Sequence, residues 1–87
     1  MRRSKLETYI DILKVLLLKG PAKLTQIKYK VNVSYTTLKE QIDFLTKAGL
    51  VETRKIDRIN VVYALTQRGN NVLIYFHQPK QELPLIE

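Results

Sequence analysis

A three-residue break restricts this chain more than any other feature. Leu24, Ile27 and Val31 recur at i, i+3 and i+7, the spacing of one face of a short helix. Only Asn32, Val33 and Ser34 intervene before a second helical pattern starts at Tyr35. Asn tolerates the left-handed backbone of a tight turn. Ser is a favoured N-cap, and Val33 and Leu38 stand at the spacing of a hydrophobic staple. The second pattern runs over about 35–48, turns Leu38, Ile42 and Leu45 inward, and stops at Gly49. Two helices joined by so short a turn are the signature of a helix-turn-helix.

Upstream, Ser4-Lys5-Leu6-Glu7 reads as a capping box that opens a helix over about 5–19. Leu6, Tyr9, Ile10, Leu13, Leu16 and Leu17 form its expected core stripe. Ile12, Val15 and Leu18 fall outside that stripe, so the helix is apolar almost all round. Gly20 and Pro21 stop it, and Pro21 suits the first turn of the short helix that follows.

Downstream the periodicity changes. Residues 50–56 and 61–65 are rich in β-branched and aromatic side chains and flank the polar Asp57-Arg58-Ile59-Asn60, which predicts a hairpin. Without Asn-Gly or Asp-Gly, the expected tip is longer than two residues and mobile. Thr66 then caps a last helix ending near His77. Gly69 costs that helix about 1 kcal/mol relative to Ala and permits close packing. Pro79 closes it, giving a domain over 1–78 and an extended tail over 79–87.

This order predicts an α+β, mostly helical fold: a winged helix-turn-helix of three helices, a two-stranded wing and a C-terminal helix. Eighty-seven residues suffice for one such domain. Fifteen Lys and Arg against eight Asp and Glu give a net charge of +7, which attracts polyanions. The charge is lopsided: residues 1–30 hold eight basic against two acidic side chains, whereas residues 61–87 are balanced. Cysteine is absent and His77 is the single histidine, which excludes disulfides, Cys-based zinc sites and thiol catalysis. No Gly-rich phosphate loop, catalytic carboxylate pair or nucleophile motif is present. Asn32-Val33-Ser34 matches a glycosylation sequon only by chance, because it forms the turn of a chain that lacks a signal-peptide core. No apolar run approaches the ~20 residues of a membrane span. The expectation is a binding protein of the cytoplasm, associated with the nucleoid. It is not an enzyme, needs no metal or cofactor, and takes no small-molecule substrate. Its partner is double-stranded DNA.

A recognition helix reads bases mainly through its N-terminal part, which selects Tyr35, Thr36, Thr37 and Lys39. Glu40 and Asp43 share that face and oppose phosphate. Arg54, Lys55 and Arg58 belong to the wing, for phosphate or the minor groove. Lys23 and Lys30 are candidate backbone clamps, and Arg2 and Arg3 a candidate arm. Val72-Leu73-Ile74-Tyr75-Phe76 points in every direction on a helix, more apolar surface than one core face absorbs. Ile12, Val15 and Leu18, with Val72, Ile74 and Tyr75, therefore mark an expected homodimer interface.

The chain also resembles small archaeal winged-helix proteins of the 10a type, a group of chromatin-associated and regulator-like proteins. The resemblance rests on Ser4-Lys5-Leu6-Glu7 with Ile10-Asp11-Ile12-Leu13, and on Ile27-Lys28-Tyr29-Lys30-Val31-Asn32-Val33-Ser34-Tyr35. It continues through Phe44-Leu45, Gly49-Leu50-Val51-Glu52 and Tyr63-Ala64-Leu65-Thr66-Gln67-Arg68-Gly69. It implies duplex binding and homodimers joined by a long C-terminal helix, from which this chain departs at Pro79. The function expected is that of a transcription regulator. The alternatives are an architectural nucleoid protein and a winged-helix module that docks on other proteins.

Overall fold

Local chemistry sets where each helix begins. In the computed structural model, which describes residues 4–77, α1 (Lys5–Lys19) opens on the expected capping box. Ser4 Oγ accepts from the Glu7 amide at 3.1 Å, and the Ser4 amide donates to Glu7 Oε1 at 2.9 Å. Gly20, at φ +87°, ends it. Helix α3 (Tyr35–Lys47) is capped by Ser34, whose Oγ accepts from the Thr37 amide at 3.1 Å. Thr66 Oγ1 accepts from the Gly69 amide at 3.0 Å and so caps α4 (Gln67–His77).

Pro21 does not start the second helix. Ala22 instead pairs with Tyr63, exchanging backbone hydrogen bonds of 3.0 and 2.8 Å. Only after this bridge does α2 (Leu24–Lys30) begin. Strands β1 (Val51–Lys55) and β2 (Val61–Leu65) pair antiparallel, with Val51 opposite Leu65 and Lys55 opposite Val61. The order α1-α2-α3-β1-β2-α4 is the expected architecture, and the Ala22 bridge adds a one-residue third strand on the free edge of β2.

The core draws on Ile12, Leu13 and Leu16 from α1, Ile27 and Val31 at α2, Leu38, Ile42 and Leu45 from α3, Val51 from β1 and Leu73 from α4, with the partly buried Tyr63 and Leu65 of β2 packed against it. Burying each such side chain contributes roughly 1.5–3 kcal/mol. The α1 stripe is rotated from its expected position. Ile12, read as lying outside it, is 0% exposed, whereas Leu6 and Leu17 are half exposed. Thr8, Ile12 and Leu16 form an i, i+4, i+8 row that faces the other helices. Thr8 tolerates burial by donating its hydroxyl to the Ser4 carbonyl. Gly69 does permit close packing, because a Cβ there would overlap the Leu50 carbonyl and lie 2.7 Å from Leu65 Cδ1. The tail over 79–87 lies outside the described residues.

Candidate nucleic-acid interface

The Ala22–Tyr63 bridge seats the start of α2 against the wing, and the Ser34 cap aims the first turn of α3 at the same place. Between them runs a groove of about 270 Å³, lined by Lys23, Leu24 and Thr25, by Tyr35 and Lys39, and by Ile59, Asn60, Val61 and Tyr63. Tyr35 and Lys39 are one helical turn apart and therefore share the wing-facing edge of α3. Thr36, Glu40, Asp43 and Lys47 line the neighbouring exposed row. Two ammonium groups, a threonine hydroxyl and two phenols thus surround a shallow channel. That chemistry suits an anionic backbone with apolar sugar faces.

Strand alternation sorts the wing. Cross-strand partners project from the same face of an antiparallel pair. Lys55 pairs with Val61 and Thr53 with Tyr63, on the face turned to the groove. Arg54 pairs with Val62 and Glu52 with Ala64, on the other face. Arg54 is accordingly withdrawn from α3. It holds Glu52 at 2.7 Å and lines a separate hollow with Leu16, Leu17, Gln67 and Asn70.

The wing tip, residues 56–60, is tied rather than loose, contrary to the mobile tip expected. Its ends are joined by a 2.9 Å bond from the Ile56 amide to the Asn60 carbonyl. Asp57 Oδ1 accepts from the amides of Ile59 and Asn60 at 3.1 and 2.9 Å, and both its oxygens accept from Asn60 Nδ2. These bonds, the Asn60 side chain first, hold the Asp57 carboxyl below its ordinary value of 3.8, with a small contribution from the charge of Lys23. Arg58 stands exposed in the middle of this loop.

The structure brings Lys23, Tyr35 and Lys39 together, with Lys55 on the adjoining strand face and Thr36 on the next row of α3. Thr37 is drawn into the cap: its amide and its Oγ1, which accepts from Ser34 Oγ at 2.9 Å, are both engaged there. Lys30 sits apart, beside Lys19 and Tyr29 at the far end of α2. Arg2 and Arg3 lie outside the described residues. Thr25 and Asn60 were missed. Thr25 carries no charge and stands two residues after Lys23. Asn60 faces the groove only because the Asp57 turn folds it there.

The residues expected at a dimer interface divide in two. Ile12 is internal and cannot contribute. Val15 and Leu18 border a hollow with Lys19 and Lys30, on the α2 side of α1. Val72 is partly buried against the core, whereas Ile74 and Tyr75, with Phe76, are exposed on α4. Leu17, by the start of α4, points about 100° round α1 from Leu18. Among the described residues no helix is long and apolar enough to cross a membrane, and no three His, Asp or Glu side chains gather as a metal site would require.

Comparison with known proteins agrees with this geometry. Residues 2–83 match the family model described as winged helix-turn-helix. No curated protein is significantly similar in sequence. Among solved structures, a MarR family protein from Bacillus stearothermophilus superposes with a TM-score of 0.70 at 21% identity, over 77% of this chain and 47% of that one. Bordetella bronchiseptica BpsR gives 0.73 at 19% identity, over 79% and 50%. Lactococcus lactis ZitR, solved in complex with DNA, gives 0.66 at 20% identity, over 84% and 49%. The chain thus spans about half the length of these structures.

Proposed function

This chain belongs to the winged helix-turn-helix family, and from that membership we propose that it is a cytoplasmic transcription regulator that binds double-stranded DNA through α3 and the wing. The observation that carries the reading is the groove between them. Its walls hold Lys23, Thr25 and Tyr35, donors suited to one phosphate strand, with Lys39 one turn beyond Tyr35 on α3. With the first turn of α3 in the major groove, Thr36 and Lys39 meet base edges, where Thr contacts either base type and Lys favours guanine. The strand bordering that groove then passes Lys23 and Thr25, and Lys55 and Arg58 meet the backbone beyond it. The ZitR structure, solved in complex with DNA and similar in fold, supports DNA as the partner. Arg54 is left out of the interface, and Lys30 serves at most its edge.

Two copies act together in this reading. Val72, Ile74 and Tyr75 of α4, flanked by Leu17 of α1, form the self-complementary patch of a two-fold dimer. That arrangement sets half-sites about one helical turn, ~34–36 Å, apart. Within the family, the reading proposed is the archaeal 10a-type group, supported by the resemblance of the Lys28-Tyr29-Lys30-Val31-Asn32-Val33-Ser34-Tyr35 stretch.

A second reading, a protein-docking module, draws on Glu40 and Asp43, which expose two carboxylates on the outer row of α3. One titration series across salt, against random and genomic duplexes, separates the cases. A regulator shows a large specificity ratio. An architectural protein shows a steep salt slope with a ratio near one. A docking module scarcely binds at physiological salt.

A further inference from the structure

The wing tip carries two isoleucines that no core explains. Ile56 is 63% exposed and Ile59 is 87% exposed, on either side of Asp57 and Arg58. A hairpin tip needs only polar turn residues, so two large β-branched side chains there face water without a packing reason. The loop cannot fold them inward. The Asp57 carboxylate fixes the amides of Ile59 and Asn60, and the Ile56–Asn60 bond closes the ring of residues. The same bonds turn the carboxylate into the loop and keep it ionised, so the cations of Lys55 and Arg58 must offset its charge toward a polyanion. Lys55 precedes Ile56 and Arg58 stands between the two isoleucines, and Ile59 also lines the groove that holds Lys39. The charge brings the tip to DNA, but isoleucine forms no hydrogen bond with phosphate. Its chemistry matches the sugar walls and base edges of the minor groove.

We infer that the wing tip is an apolar wedge, with Ile56 and Ile59 seated in the minor groove at a flexible pyrimidine–purine step and bending the duplex there. The inference rests on the DNA-binding reading above and adds to it a second source of selectivity, independent of Thr36 and Lys39. Pyrimidine–purine steps unstack most readily, so an apolar wedge is least costly at them. Selectivity for such a step arises from deformability and needs no base hydrogen bond.

The test moves a single TpA step, base pair by base pair, through an otherwise uniform A-tract duplex labelled at both ends for energy transfer. The expected result is one position at which TpA raises affinity about tenfold, accompanied by a gain in transfer that reports bending. In Ile56→Asn/Ile59→Asn both effects vanish while the slope of log K against log salt is unchanged. Ile56→Ala/Ile59→Ala, which keeps the loop apolar but short, gives an intermediate preference and guards against a misfolded asparagine variant. The wedge is overturned if no TpA position is favoured in the wild-type protein, or if the asparagine variant keeps both preference and bend. Wild-type protein that binds none of the duplexes at low salt overturns the DNA-binding reading itself, an outcome distinct from binding without step preference.

Discussion

The Thr66 hydroxyl donates to the Gly49 carbonyl, 2.7 Å away and 17 residues earlier in the chain, while its oxygen accepts from the Gly69 amide at 3.0 Å. One side chain thus caps α4 and ties it to the turn that ends α3. Thr66→Ala removes both bonds and is expected to lower stability by about 1–2 kcal/mol in urea denaturation. Thr66→Ser keeps the oxygen and is expected to retain most of it.

Gly69 reverses the usual propensity argument. In an exposed helix Gly→Ala stabilises by about 1 kcal/mol. Here the added methyl meets the Leu50 carbonyl, a backbone atom that cannot step aside. Gly69→Ala is therefore expected to destabilise by roughly 1–3 kcal/mol, read as a lower denaturation midpoint. A higher midpoint would mean that α4 and the turn at Leu50 are less tightly packed than the structure shows.

Gln41 holds the opposite kind of defect. It is 7% exposed on the inner face of α3, and its Oε1 lies buried without a hydrogen-bond partner. A buried orphan acceptor costs about 1–3 kcal/mol. Gln41→Met keeps the length and removes the orphan, so a gain of about 1 kcal/mol at constant m-value is expected.

Asp57 makes the wing tip acid-sensitive. Its carboxyl is held below 3.8 in the folded chain by Asn60 and Ile59. Its contribution is fully present above the unfolded value and is lost as pH falls through the lower, folded one. Protection of the Ile59 and Asn60 amides, measured relative to their intrinsic exchange rates, should hold at neutral pH and fall only below about pH 4. In Asp57→Ala the same amides should be unprotected across the pH range, with the core amides unaffected.

The elements were legible where a few neighbouring residues decide the outcome. Ser4 with Glu7, Ser34 with Thr37, and Thr66 with Gly69 each settle a helix start within four residues of sequence. What failed depends on distant partners. Ile12 looked peripheral because α1 is apolar all round, and only the placement of α2 and α3 decides which row is buried. Arg54 looked like Lys55 because both are basic. Strand alternation puts them on opposite faces, and only the packing of the wing against α2 and α3 shows which face meets the groove. Pro21 looked like a helix start because its pairing partner strand lies some forty residues downstream. The groove combines three segments, so Lys23 and Lys39 could be named singly but not as neighbours.

The salt dependence of binding separates the basic residues by location. Lys23→Ala, Lys55→Ala and Arg58→Ala, at the proposed phosphate contacts, should each reduce the slope of log K against log salt by up to about 0.9. Arg54→Ala, on the far face of the wing, should leave it unchanged. A slope that falls only with Arg54→Ala would place DNA on the wrong side of the hairpin.

The central claim is that one backbone strand of duplex DNA lies in the groove between α3 and the wing, with the first turn of α3 in the major groove. Backbone amide chemical shifts of the labelled protein, followed during titration with a duplex at low salt, test it directly. The account predicts perturbations concentrated at Thr25, Tyr35, Lys39, Ile59, Asn60 and Val61, with Arg54, Gln67 and Asn70 nearly still. Perturbations confined to the hollow of Arg54, Gln67 and Asn70, with the groove residues unmoved, would contradict it.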